Sequence, residues 1–380
     1  MPINPNNDLF TFSSSKGYID KTGLIAFINK YVNSRDRFVC MARPRRFGKS
    51  IALYMLIAYY SKGCDSKDLF SKFQIAKEPS FLTHLNQHNV VYWDMGRFIS
   101  SATYDQSFFD VFHKVSITDF KYAFPNLKEL DTVKTVQEAF STVTRTTGEK
   151  FIFLIDEWDA PLRELSTPKQ KLEYINILRA LFKGDLIANV SLAYFTGIFP
   201  IGRYDTQSAL NNFKEINMIL QRKELSPYFG LTEDEVKKLC QEYDMPFDKA
   251  KLWYDGYKLS GIDIYNPYSV KNYCDYQRLD DYWSASSTFK EPMLAIEQNF
   301  DGLHDSILDL LAGNAFVDVD IHRYKNLITK IENKESAIVY LIHLGYLSYQ
   351  EFDDKSNKIS IPNEEVRQEF IREIEGMDYS

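Results

Sequence analysis

The stretch Arg43-Pro44-Arg45-Arg46-Phe47-Gly48-Lys49-Ser50 carries the strongest chemical signal in the chain. An apolar strand-like run precedes it and a helix-length apolar segment follows. That is the setting in which a G-x-x-x-x-G-K-S loop, the P-loop, holds phosphate. Backbone N–H groups of such a loop and of the helix start point at anion oxygens, and the helix dipole favours negative charge there. Lys49 supplies a point charge for the β- and γ-phosphates, and the Ser50 hydroxyl is placed to ligate Mg²⁺. Gly48 lets the backbone approach closely. The expected nucleotide contacts are these eight residues together with Ile51. The first glycine of the pattern falls at position 43, where this chain has Arg43. Three arginines, Arg43, Arg45 and Arg46, therefore stand beside the phosphates, in reach of phosphate or of a neighbouring acid.

A second signal lies downstream. Phe151-Ile152-Phe153-Leu154-Ile155 ends in Asp156-Glu157, the pattern of a Walker B strand. Asp156 is expected to hold the Mg²⁺ ion through water, and Glu157 to act as general base toward the attacking water. Carboxylates at the C-terminal edge of a parallel strand stand where open α/β sheets bind ligands. A third apolar run, Val190 to Gly197, carries Thr196 at its end, a γ-phosphate sensor or simply a strand-end threonine. Arg203 follows; it reads as a phosphate sensor, as a finger toward a neighbouring subunit, or as a surface arginine.

These residues need a scaffold. Arg37 to Ala42, Val90 to Asp94, Phe151 to Ile155 and Val190 to Gly197 read as strands, with helices at Lys49 to Tyr60 and Lys169 to Phe182. Continuous apolar strands separated by helices predict a parallel sheet covered on both faces, an α/β P-loop NTPase core. From Thr232 onward helices and aromatic loops predominate. A helix at Ala337 to Leu344, two strands at Tyr346 to Phe352 and Lys358 to Ile361, and a helix opening at Pro362 resemble a winged-helix module. The expected division is 1–225 for the ATPase core and 226–380 for the helical, wing-bearing region.

Composition sets outer limits. The chain has 380 residues, 44% hydrophobic and 26% charged, which excludes collagen-like and fully disordered classes. Its net charge of −7 argues against a globally basic nucleic-acid binder. The aromatic share of 15% predicts a large core with many tyrosine hydroxyls to satisfy. Cys40, Cys64, Cys240 and Cys274 form no CxxC pair, so neither a zinc ribbon nor a thioredoxin-type site is expected. His84 and His88 share i, i+4 spacing but lack the glutamate of H-E-x-x-H. The N-terminal residues show no secretory signal, and the longest apolar run, Ile51 to Tyr60, is too short for a bilayer, so a cytoplasmic setting is expected.

The ordered motifs resemble those of the bacterial AAA-ATPase-like proteins, many of which carry a C-terminal PD-(D/E)xK nuclease domain. The matches are Tyr18-Ile19-Asp20-Lys21-Thr22, the Arg43 to Ser50 loop, Ile155-Asp156-Glu157-Trp158-Asp159-Ala160-Pro161-Leu162 and Thr196-Gly197-Ile198. They continue with Ser208-Ala209-Leu210-Asn211-Asn212-Phe213, Trp253-Tyr254-Asp255-Gly256-Tyr257, Tyr265-Asn266-Pro267-Tyr268-Ser269 and Ile361-Pro362-Asn363-Glu364-Glu365-Val366-Arg367. In that family an arginine is common at the position of Arg43. The family pattern Asp-Glu-Tyr-Asp-Lys-Pro becomes Asp156-Glu157-Trp158-Asp159-Ala160-Pro161 here, and Thr-Gly-Val-Ser becomes Thr196-Gly197-Ile198-Phe199. No Glu-x-Lys pattern of the nuclease follows residue 340, so the sequence reads as an ATPase module without that effector, naturally short or cut from a longer protein.

The resemblance and the residues together imply an ATP- and Mg²⁺-dependent ATPase whose hydrolysis drives conformational change of the C-terminal part. The alternative is a nucleotide-gated binding module with little or no turnover that docks DNA or a protein. Beyond ATP, the expected partners are left open among self-association, a separate effector such as a nuclease, and DNA or protein; no membrane is expected.

Overall fold

A computed structural model describes residues 3–15, 17–103, 105–201, 210–283, 296, 299–317, 319–321, 331, 333–352 and 356–377. The chain forms two compact units. The first comprises Met1–Met41, Lys49–Gly197 and Ile201–Glu215; the second comprises Ala42–Gly48, Ile198–Pro200 and Ile216–Ser380.

The first unit is built on a five-stranded sheet of β1 (Phe38–Ala42), β2 (Asn89–Asp94), β3 (Phe151–Asp156), β4 (Val190–Gly197) and β5 (Lys214–Ile216). The strand order is β2-β3-β4-β1-β5. β3 pairs in parallel with β2 and with β4. Every residue of β1, β3 and β4 is buried, as strands covered on both faces require. Register then decides function: Asp94 stands opposite Asp156, and Ile155 opposite Phe195. The strand-ending polar residues Asp94, Asp156 and Thr196 thus share one edge of the sheet.

Aromatic rings fill this core. Phe153 meets Trp93 at 5.3 Å, and Phe140 and Phe182 at 5.1 Å each. Phe195 continues the seam to Phe182 at 5.1 Å and Phe213 at 4.6 Å. Tilted and edge-on rings at these separations add to the burial of their large apolar area. Buried tyrosine hydroxyls find carbonyls: Tyr174 donates to Trp158 O at 2.6 Å and Tyr59 to Phe81 O at 2.7 Å. Helix Val136–Thr147 opens on a Thr135/Glu138 capping box and ends on left-handed Gly148; helix Pro168–Phe182 opens on a Thr167/Gln170 box with Pro168 in its first turn.

The second unit holds two antiparallel sheets. One has the order β6-β8-β7, from β6 (Leu231–Thr232), β7 (Tyr257–Leu259) and β8 (Ile262–Tyr265). Sequence periodicity predicts helices and loops here. The strands are only two to four residues long, too short to show a period. Their signal is instead the turn: Ser260 and Gly261 both have positive φ, +51° and +81°, as a two-residue type I′ hairpin demands. The other sheet, β10-β11-β9, contains β9 (Phe316–Val317), β10 (Ser348–Glu351) and β11 (Asn357–Ser360). Helix Lys334–Leu344 precedes its hairpin and helix Glu364–Met377 follows. This is the winged-helix-like order. The helix–hairpin turn is made by left-handed Gly345, the C-cap of Lys334–Leu344. The unit's core gathers Phe47, Phe199, Trp283, Ile338, Leu347 and Phe370. Among the described residues no helix is long and apolar enough to cross a membrane.

Candidate nucleotide-binding site

Helix Lys49–Tyr60 of the first unit starts at the motif lysine. The apolar body of the helix is buried nearly all round, which fixes its position and leaves Ser50 half-buried and Ile51 exposed at its N-terminus. Lys49 is buried, and desolvation pulls its pKa down to about 8. The charges of Asp156, Asp159 and Glu157 oppose that fall, whereas Arg163 adds to it.

Asp156 is 3% exposed at the end of β3. Its Oδ1 accepts from Thr196 Oγ1 at 2.5 Å and from the Glu157 backbone N–H at 3.0 Å. Both bonds end on Oδ1, and neither uses Oδ2. Thr196 is fully buried, and its carbonyl accepts from Trp158 N–H at 2.9 Å. The turn after β3 is therefore tied to the end of β4. Glu157 occupies the left-handed region at φ +49°, unusual for a residue with a side chain and frequent at functional sites. Its exposed carboxylate lies 4.0 Å from Arg163. Desolvation and the Asp156 charge raise its pKa, and Arg163 lowers it.

Five neighbours complete the constellation. Asp94 accepts from Arg97 N–H at 2.9 Å and so caps helix Met95–Ser101. A Cβ built on Gly96 would stand 2.3 Å from Glu157 Oε2, so only glycine admits the carboxylate there. Asp159 is wholly buried, with Arg163 Nε at 3.4 Å. A Cβ on Gly197 would meet Asp159 Oδ1 at 2.6 Å. Sequence reasoning gives none of them a role: Asp159 and Gly197 stand there only within motifs, and Asp94 only as the end of a strand. Asp94 ends an apolar strand just as Asp156 does, and the strand-edge rule would have found it. Gly96 and Arg163 carry no signal outside the folded context. Ala160, where the family pattern has lysine, is 2% exposed.

Ala42–Gly48, just before Lys49, belong to the second unit. Arg43 is fully buried and donates from Nη1 to the Ala42 carbonyl at 3.0 Å. Pro44 is buried against Gly345, where a Cβ would stand 2.9 Å from its ring. Arg45 is half-buried, and its carbonyl accepts from Trp283 Nε1 at 3.1 Å. Arg46 has φ +69°, and its exposed guanidinium sits 4.6 Å from the Tyr268 ring centroid. Phe47 is buried edge-on to Tyr257 at 5.2 Å, and its carbonyl accepts from Gly230 N–H at 3.1 Å. Gly48 has φ +87°, and a Cβ built there would meet nothing within 4 Å. The loop thus has anchored residues and one open, left-handed glycine. Arg203 lies outside the described residues.

The donor set suits magnesium, which prefers hard oxygen ligands. The Asp156 carboxylate has an oxygen outside the Thr196 and Glu157 bonds, and the Ser50 hydroxyl stands at the helix start. Tyr18 to Thr22 take structural bonds: Asp20 accepts from Thr22 and from Gln74 N–H, and Thr22 Oγ1 accepts from Ile75 N–H. His84 and His88 pair with each other, Nδ1 to Nε2 at 3.0 Å.

An uncharacterized protein in the vnfD 5′ region of Azotobacter chroococcum mcd 1 is 24% identical over 277 residues. The match covers 71% of this chain, which spans about half (51%) of the length of that curated relative. Among solved structures, the Aeropyrum pernix ORC2 protein (ADPNP-ADP complexes) aligns at 11% identity and TM-score 0.39, over 95% of this chain and 98% of the other. AMPPCP-bound DnaA from Aquifex aeolicus aligns at 11% identity and TM-score 0.29, over 86% and 78%. A family model described as predicted AAA-ATPase matches residues 12–206, just over half of the chain. That span includes the loop, Lys49, Asp156, Glu157 and Thr196; the chain belongs to this family of predicted AAA-ATPases, and ATP binding is what membership supports.

Proposed function

We propose that the chain binds ATP with Mg²⁺ through Arg43 to Ile51 and hydrolyses it. The observation that supports this best is the convergence on one sheet edge of buried Lys49, Thr196-bonded Asp156 and exposed Glu157. In this reading the backbone at Gly48 and the helix start receives the phosphates, and Lys49 neutralises their charge. Ser50 and Asp156 would hold the magnesium ion, which supplies charge neutralisation on the phosphate oxygens when bound. Thr196 fixes the orientation of the Asp156 carboxylate. Glu157 accepts a proton from the attacking water, its carboxylate kept in place by Gly96 and Arg163. Arg203 is proposed as a sensor or finger from its position in the sequence alone. Residues 1–225 then act as the ATPase core, and turnover changes the conformation of 226–380.

Arg163 also favours a second reading. A cation 4.0 Å from Glu157 offsets part of the rise in pKa that burial and Asp156 impose and engages its carboxylate, which fits a nucleotide-gated module with slow turnover that docks DNA or a protein. Phosphate release by the wild type and by Glu157→Gln separates the two. The ATPase reading expects turnover in the wild type and a loss of about a hundredfold or more in the variant, with ATP binding kept. Equal, background-level release from both, with tight binding, supports the gated module instead.

A further inference from the structure

One buried acid of the second unit has no part in the chemistry above. Glu365 is 1% exposed near the start of helix Glu364–Met377. Its carboxylate accepts from Ser269 Oγ, at 3.0 and 2.8 Å to its two oxygens, and from the Trp283 backbone N–H at 2.7 Å. Both partners lead to the phosphate loop. Trp283, itself buried, donates its indole N–H to the carbonyl of Arg45. Ser269 follows Tyr268, whose ring lies against the Arg46 guanidinium. Tyr268 and Ser269 are further fixed by Asn266, whose side chain accepts from both backbone N–H groups at 2.9 and 3.4 Å.

A buried carboxylate is costly unless hydrogen bonds compensate it. The charged groups named around it do not relieve that cost: Asp281 and Glu369 are acidic, and Arg372 pairs with those two. A site needing only packing would be filled as well by an apolar side chain. What a carboxyl group adds is two polar oxygens within hydrogen-bond reach of two separate segments. Those segments hold a loop whose Arg46 sits in the left-handed region, a conformation that persists only where surroundings enforce it.

We propose that Glu365 is a positioning residue for the phosphate-binding loop, acting through Trp283 on Arg45 and through Ser269 and Tyr268 on Arg46, and thereby setting nucleotide affinity. This rests on the reading that the loop binds ATP. Preorganised anion sites lose affinity when loop order is lost, because binding must then supply the ordering. Glu365 does not reach the reacting atoms, so its removal weakens binding and leaves the chemical step at saturation intact.

The test is titration of a fluorescent ATP analogue with Mg²⁺, together with kcat and KM for ATP. Trp283→Phe deletes the indole N–H together with part of a buried ring and is expected to weaken binding about fivefold. Glu365→Ala should weaken it about tenfold or more, while Glu365→Gln, which keeps an acceptor for Trp283 N–H, stays within about twofold of wild type. KM follows binding, and kcat is held. Folded Trp283→Phe and Glu365→Ala with wild-type affinity, or a fall in kcat at unchanged KM, overturn the proposal. If Glu365→Ala does not fold, Trp283→Phe with Glu365→Gln as its reference decides. A wild type that binds no nucleotide defeats the ATP-site reading and this inference together; a wild type that binds alongside unaffected variants defeats this inference alone.

Discussion

Thr196 Oγ1 donates a 2.5 Å hydrogen bond to Asp156 Oδ1, joining the ends of two adjacent parallel strands inside a wholly buried setting. This bond leaves the carboxylate one orientation. Thr196→Val keeps the shape and removes the donor, so Asp156 is left under-bonded. We expect a stability loss of about 1–3 kcal/mol in urea unfolding and a Mg²⁺ requirement for ATP turnover shifted to higher concentration. A variant with the wild-type magnesium dependence would show that Thr196 does not orient Asp156.

Gly96 tests the Glu157 assignment without touching it. The Cβ of Gly96→Ala would fall 2.3 Å from Glu157 Oε2 and 3.4 Å from Asp94 Oδ1, and the exposed glutamate can swing away. The expected outcome is reduced kcat with nucleotide binding and fold preserved, read by steady-state kinetics beside circular dichroism. Unchanged kcat would mean that the carboxylate does no work from that position.

Glu365 makes stability depend on pH. Burial, reinforced by Asp281 and Glu369 and resisted by the Trp283 and Ser269 hydrogen bonds, pushes its pKa from 4.5 up to about 8. Tyr254 and Tyr257 also face it, and Arg372 is engaged by Asp281 and Glu369. The folded chain holds this proton more tightly than the unfolded chain does. The linked stability is therefore complete below pH 4.5 and is lost as pH rises through about 8. Melting temperatures of wild type and Glu365→Gln across that window should diverge, with the variant gaining on the wild type as pH rises. Parallel curves would contradict the assignment.

The aromatic seam should carry much of the first unit's stability. Phe153→Ala removes a ring that meets Trp93, Phe140 and Phe182, and should cost about 3–5 kcal/mol in denaturant unfolding. A loss under about 1 kcal/mol would mean that the cavity collapses around the deletion.

Local pattern made the first unit legible. Helix Lys49–Tyr60 and strand Val190–Gly197 fall where apolar length and punctuation put them, because buried parallel strands are continuous apolar runs. Lys49, Asp156 and Glu157 stand out in the sequence because their motifs are short and contiguous. Legibility ended where function depends on distant partners. Trp283 reaches Arg45 across 238 residues, and Glu365 reaches Trp283 across 82. No periodicity encodes such pairs, so Glu365 was visible only as one letter of a family motif. The β7–β8 hairpin was hidden for another reason: its strands are too short for a period, and only Ser260-Gly261 announces the turn.

The loop ending in Lys49 is proposed to hold the phosphates of ATP. Equilibrium binding of ATP with Mg²⁺ to the wild type and to Lys49→Ala, followed by calorimetry, tests it most directly. The account predicts saturable one-to-one binding by the wild type and a loss of about a hundredfold or more in the variant, with the fold intact. Equal affinity in the two proteins, or no binding by the wild type, would contradict it.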